Sequence, residues 1–150
     1  MSLPEALQEL VDDFSGVGPK DRLQLLLELS QELPELPERY ADAAETMEQV
    51  HECQSPLFLA VEVEPAGDQL VHLFFSAPPE APTTRGFAAI MHIGLDGQPA
   101  QTVLEVPDAF YTALGLGQAV SPLRLRGMAA MLARIKNQVR RAVAGQQSPA

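Results

Sequence analysis

The chain has 150 residues, enough for one domain with a core of its own. A hydrophobic share of 46% with only 20% charged residues excludes a disordered chain, and a net charge of −10 argues against sequence-independent binding to nucleic acid or to an anionic membrane surface. No apolar run approaches the roughly 20 residues of a membrane span, the start lacks a basic-then-apolar secretory pattern, and a lone cysteine fits a reducing cytoplasm.

Ser2 and Glu5 have the spacing of a capping box around Pro4, and Leu7, Leu10, Val11 and Phe14 then recur at helical spacing. Ser15 to Gly18 breaks this helix, and Pro19 suits the start of a second one. There Leu23, Leu26, Leu27 and Ser30 share a face, widened by Leu25 and Leu29, until Pro34 and Pro37 end it. Residues 38 to 49 are acidic and alanine-rich, and fit either a short helix or a surface loop.

From Leu57 the period changes to two, with Leu57, Leu59, Val61 and Val63 on one face and Ala60, Glu62 and Glu64 on the other. P-A-G-D at 65 to 68 is turn chemistry, so Gln69 to Phe75 predicts the second arm of an antiparallel hairpin. After the loop 76 to 82, Thr83 or Thr84 is placed to cap a helix holding Arg85, Gly86, Phe87, Ile90 and Met91 and ending near Gly94. L-D-G-Q-P (95 to 99) predicts a turn. Pro107 opens a short helix through Phe110, Tyr111 and Leu114 that Gly115 closes. Ser121 and Pro122 pair as N-cap and first residue of a long last helix, whose Met128, Met131, Leu132, Ile135, Val139 and Val143 form a core-facing stripe. The order predicts an α+β fold: a small antiparallel sheet of about three strands with helices packed on one face. It is expected to be a single domain over residues 1 to 144 with a frayed tail over 145 to 150.

The chemistry centres on V-H-E-C-Q-S-P-L-F, residues 50 to 58. Cys53 has no partner for an internal disulfide. Its polar neighbours His51, Glu52, Gln54 and Ser55 suit a loop better than a core, and Pro56 stiffens that loop at the entrance to the strand. Glu52 opposes formation of a thiolate, whereas backbone N–H groups, His51 or an arginine brought close would favour it. Charge is unevenly spread. Residues 28 to 52 hold Glu28, Glu32, Glu35, Glu38, Asp42, Glu45, Glu48 and Glu52 against Arg39, while Arg124, Arg126, Arg134, Lys136, Arg140 and Arg141 follow the last acid, Asp108. Such a basic run is more often a solvated face than a site. His72 and His92 have no evident partners and no zinc-ligand spacing, and there is no G-x-G-x-x-G, P-loop or G-x-S-x-G.

Several stretches, in order, resemble one family, the SufE sulfur-acceptor proteins of iron–sulfur cluster assembly. D-R-L-Q-L-L-L-E-L-S-Q-E-L-P-E-L-P (21 to 37) is similar to its leucine-rich helix ending in L-P-x-L. Residues 50 to 58 are similar to its V-x-G-C-x-S-x-V-W loop. R-G-F-A-A-I-M (85 to 91) and L-G-L-G-Q-A-V-S-P-L-R-L-R-G-M-A-A-M (114 to 131) are similar to its [RK]-G-L helix start and its [ST]-P-x-R-x-x-G-L-x-x-M segment. Glu52 stands where the family has glycine and Phe58 where it has tryptophan.

The resemblance implies that Cys53 takes sulfane sulfur as a persulfide from a SufS-like cysteine desulfurase, stimulates that enzyme, and passes the sulfur to a SufBCD-like cluster scaffold. The pyridoxal phosphate is expected on the desulfurase and no cofactor on this chain. Arg124 matches the family's arginine and is expected to steady the thiolate or dock the partner, with a purely structural role equally open. Arg85 matches too, and Gly86 and Gly127 are expected to permit close packing. The competing readings are a cluster scaffold of the similarly folded IscU type, disfavoured because one cysteine cannot supply the several thiolates a cluster needs, and an interaction module to which Cys53 is incidental.

Overall fold

The structure, a computed structural model, describes residues 3–147. Helix α1 (Glu5–Ser15) starts on Pro4 with no side-chain cap, and the expected capping role of Ser2 lies outside the described residues. Its apolar spacing buries Leu7, Leu10, Val11 and Phe14. After Gly18, helix α2 (Pro19–Leu29) opens on its proline and runs into a 3-10 turn at Ser30–Glu32. Arg22 from α2 donates to the carbonyls of Phe14 and Gly115, clasping the helix pair to the later chain.

The segment left open by its composition holds a 3-10 turn (Glu38–Tyr40), a one-turn helix α3 (Ala43–Thr46) capped by Asp42, and a two-residue strand β1 (Glu48–Gln49). Strands β2 (Phe58–Val63) and β3 (Val71–Ser76) form the expected hairpin, with Val61 opposite Leu73 and Leu59 opposite Phe75. The sheet is antiparallel in the order β1-β2-β3. One face of it takes helices α4 (Pro82–Leu95) and α6 (Pro122–Gln147), and α1 and α2 pack in turn on α4. On the other face Tyr40 stacks on Phe74, with ring centres 5.0 Å apart. This is the expected α+β architecture.

Local differences have physical reasons. Helix α4 begins at Pro82, ahead of the expected threonine cap, because proline is already set for the first helical position; Thr84 is buried instead. A further helix, α5 (Ala100–Glu105), follows the 95 to 99 turn; Pro99 starts it, and with Ala100 and Val103 alone buried its apolar face is too short to stand out as periodic. Phe110–Leu114 is a 3-10 helix that Gly115 closes at φ +67, as its position predicts. Helix α6 is capped by Ser121, whose Oγ accepts from Arg124 N–H at 3.3 Å. It buries Met128, Met131, Leu132, Ile135 and Val139 completely or nearly so, each such side chain contributing about 1.5–3 kcal/mol. The helix continues past Gly145 to Gln147, and the rest of the tail expected to fray, residues 148 to 150, lies outside the described residues. Gln146 donates to the Val63 carbonyl at 3.0 Å and holds this end against the sheet.

Candidate functional site: the cysteine loop and its recess

Two fully buried residues fix the base of the loop. Val50 N–H donates to the Leu57 carbonyl at 2.8 Å, and both side chains have no exposed surface. Between them the chain turns at Cys53, whose N–H donates to the Val50 carbonyl at 3.2 Å. His51, Glu52, Gln54 and Pro56 are exposed, while Cys53 is half-buried and packs against the core. Thus an exposed loop on a rigid anchor turns its one thiol inward.

The thiol enters a small recess shared with Gln54, Ser55, Thr84, Phe87 and Arg124. Its free volume is about 10 Å³, room for about one water molecule. The floor is helix α6. A Cβ on Gly127 would lie 3.0 Å from Cys53 Sγ and 3.5 Å from its Cα, so glycine there lets the loop sit down on the helix. The close-packing role expected of Gly127 is therefore directed at the cysteine itself. Gly86 has the same role elsewhere: a Cβ there would meet Leu26 Cδ1 and the Leu26 carbonyl at 2.7 Å.

Burial pushes the Cys53 thiol up from 9.0 to about 11, and the neighbouring Glu52 carboxylate pushes the same way; Arg134 pulls it back. The sign expected for Glu52 holds, but desolvation is the larger cause. Near neutral pH the seated group is a protonated thiol.

Arg134 ties the loop to α6. Its Nη1 donates to Glu48 Oε2 at 2.6 Å and its Nη2 to Glu52 Oε1 at 2.7 Å. Gln138, one turn on, donates to Glu48 Oε1 at 2.9 Å and accepts from Val61 N–H at 2.9 Å. The bond from Arg134 holds Glu52 below the usual carboxylate range. For Glu48, burial acts upward, but the bonds from Gln138 and Arg134 outweigh it and bring the net shift down.

The expected site residues divide. Arg124 does line the recess, and its guanidinium makes no hydrogen bond or ion pair with a described residue. That cation sits in the first turn of α6, where the helix dipole opposes it by about 0.3–1 kcal/mol. His51 is exposed on the turn and bears on the Glu52 carboxylate, with no bond to Cys53. Arg85 is not brought to the thiol: its Nη1 donates to the Ala77 carbonyl at 2.8 Å and it borders grooves beside Pro79 and Pro82. Glu52 is beside Cys53 but engaged by Arg134.

Sequence reading missed the Arg134 fork. The basic run of α6 is not simply a solvated face, since Arg134 is paired and Lys136, 5% exposed, donates to the Val106 carbonyl and to Asp108. The available signal was Gly127, Arg134 and Gln138 at i, i+7 and i+11, which share one face of a helix. The histidines also have partners after all: His72 Nε2 lies 2.7 Å from Glu64 Oε2, and both His72 and His92 approach Asp96 at 3.9 and 3.7 Å. Among the described residues no helix is long and apolar enough to cross a membrane.

Comparison with known proteins places this arrangement in a family. The family model described as SufE, the Fe-S metabolism associated domain, matches residues 8–139. A SufE-like protein of Mycobacterium tuberculosis is 58% identical over 141 residues, covering 94% of this chain and 96% of that protein. A SufE-like protein of Rhizobium meliloti is 30% identical over 138 residues, covering 89% and 94%. The solution structure of a hypothetical protein from Thermus thermophilus superposes with a TM-score of 0.81 at 38% identity, covering 95% of this chain and 99% of that one. The chain belongs to the SufE family, whose domain is associated with iron–sulfur metabolism.

Proposed function

We propose that the protein is a sulfur carrier in the cytoplasm. It accepts persulfide sulfur on Cys53 from a pyridoxal-phosphate-dependent cysteine desulfurase, stimulates that enzyme by unloading it, and delivers the sulfur to a cluster-assembly scaffold. The observation that carries this reading is the recess: the chain's one thiol, half-buried, shares it with an arginine whose guanidinium is unpaired among the described residues. An unpaired cation beside a nucleophile suits the anions that form there, first thiolate and then persulfide.

The transfer is an exchange at sulfur. The Cys53 proton leaves to solvent, and the thiolate attacks the outer, sulfane sulfur of the donor persulfide. A bond forms from Cys53 Sγ to that sulfur as the donor's S–S bond breaks, and the donor cysteine departs as a thiolate. Sulfane sulfur keeps its oxidation state, so no outside oxidant or reductant enters. With no second cysteine in the chain, Cys53 persulfide has no internal thiol to resolve it into a disulfide.

The test is mass spectrometry of the chain after incubation with a cysteine desulfurase and cysteine. One added sulfur atom on Cys53, removed by a thiol reductant, is expected. The Cys53→Ser variant should stay unmodified and fail to stimulate the desulfurase, while melting as the parent does, because an oxygen for a sulfur on a loop removes little packing. Equal stimulation by variant and parent would overturn the carrier reading.

A further inference from the structure

Arg134 is placed oddly for a residue serving only stability. Its side chain is 22% exposed, and its Nε is buried with no hydrogen-bond partner among the described residues. A buried donor left unmade is a standing cost. The guanidinium accepts that position while its two outer nitrogens reach opposite ends of one structure. Nη1 holds Glu48, in strand β1 at the fixed base of the loop, where Gln138 holds the same carboxylate. Nη2 holds Glu52, the residue before Cys53, and that carboxylate is 48% exposed. One arm is therefore doubly secured and partly buried, and the other is single and open to solvent. Beneath them Gly127, on the same face of the same helix, receives the thiol.

We propose that Arg134 is a positioning residue for the cysteine loop: its fork between Glu48 and Glu52 keeps the Cys53 thiol seated against Gly127, and release of the Glu52 arm alone frees the thiol. The carboxylate at position 52 thereby acts as a catch. It is lost without disturbing strand β1, because Glu48 keeps both Arg134 and Gln138. This inference rests on the carrier reading for its biological use, but the seating of the thiol is a property of the chain by itself.

The experiment measures the rate of Cys53 alkylation by iodoacetamide on the isolated protein from neutral pH upward, for the parent and for Arg134→Gln, Arg134→Lys and Glu52→Gln. Two roles of Arg134 predict opposite signs. If it acts only as a nearby cation, removing its charge disfavours the thiolate and slows alkylation. If it is the catch, Arg134→Gln lets the thiol out of its buried seat, and alkylation at neutral pH rises by about tenfold, the effect of about one pH unit in the thiol's titration. Arg134→Lys keeps the charge but offers a point rather than a fork, so it should also react faster than the parent. Glu52→Gln keeps an amide oxygen for Arg134 Nη2 but loses the charge pair, so it should also react faster than the parent, by weakening the catch and removing the opposing charge.

Slower or unchanged alkylation of Arg134→Gln would overturn the proposal, as would a lysine variant that behaves as the parent. Faster alkylation accompanied by loss of the cooperative melting transition would also overturn it, by assigning Arg134 to the fold. No desulfurase is present in this assay. Failure of sulfur acceptance would therefore leave the catch standing, and failure of the catch would leave sulfur acceptance standing.

Discussion

A broad open groove beside strand β3 and the recess at Cys53 make an instructive contrast. The groove, about 360 Å³, lies between the Leu33–Leu36 segment and that strand, and holds Arg39, Glu62, His72, His92 and Asp96. Its charges answer one another. Arg39 forks onto Glu62 at 2.8 and 2.9 Å, Tyr40 adds a bond to the same carboxylate, and Asp96 accepts from Leu73 N–H at 2.8 Å between the two histidines. The recess is far smaller and its groups are less satisfied: a thiol pushed up to about 11 and a guanidinium unpaired among the described residues. Size marks where solvent fits, whereas unmet chemical demand marks where a partner group is wanted.

That contrast can be broken first at its two arginines. Arg124→Ala should cut sulfur transfer by about tenfold or more, since a charge-assisted hydrogen bond contributes about 1.5–3 kcal/mol. Its melting temperature should hardly move, because no hydrogen bond or ion pair to a described residue is lost with the side chain. Arg39→Ala in the groove should do the reverse, leaving transfer at the parent rate and lowering the melting temperature slightly, as loss of an exposed ion pair does. Transfer assays and melting curves on both variants decide it. Equal loss of transfer in the two would move the functional surface into the groove.

The recess can also be filled. Gly127→Ala places a methyl 3.0 Å from Cys53 Sγ, on a loop able to yield. Alanine is favoured over glycine in a helix by about 1 kcal/mol, so net stability should stay within about 1 kcal/mol of the parent while the displaced thiol alkylates faster. Gly86→Ala meets the Leu26 backbone carbonyl at 2.7 Å, inside the core. There the helices must separate, and a loss of about 1–3 kcal/mol is expected despite the same helical gain. Denaturant midpoints paired with alkylation rates separate the two. Matching losses of stability would mean that the cysteine loop is as firmly packed as the core.

How much of this was legible in the sequence depended on range. Short-range signals worked: the spacing of Leu7, Leu10, Val11 and Phe14, the hairpin turn after Glu64, Gly115 as a helix end, and Ser121 as a cap each rest on residues within one or two turns. The cysteine loop itself was legible as a polar, proline-stiffened stretch before a strand. What could not be read was what comes to it across the fold. Arg134 meets Glu52 from 82 positions away, and His72 and Glu64 meet only through the register of the hairpin. Arg85 shows the converse, since its match to a family motif said nothing of where its guanidinium would turn. Strand β1 escaped notice because two residues are too few for a period, and it exists through pairing with Leu59 and Phe58.

The smallest effect concerns pH. Burial holds the Cys53 thiol up from 9.0 to about 11, while in the unfolded chain it titrates at its ordinary value. Below pH 9 both states carry the proton and the thiol adds no pH dependence. Between about 9 and about 11 the unfolded state has lost its proton and the folded state has kept it. The unfolded state then binds fewer protons, so stability falls as pH rises through that window. A shift of this size would nominally correspond to about 2.7 kcal/mol, and solvent screening of a half-exposed group reduces it to about 1 kcal/mol. The Tyr40 phenol beside the groove, also raised by burial, adds a loss at alkaline pH that the parent and Cys53→Ser share, so the difference between the two isolates the thiol. Urea midpoints of the parent and of Cys53→Ser should therefore run together at neutral pH and separate above pH 9, with the parent falling faster. Curves that stay parallel throughout would mean that the thiol is already free of its seat in solution.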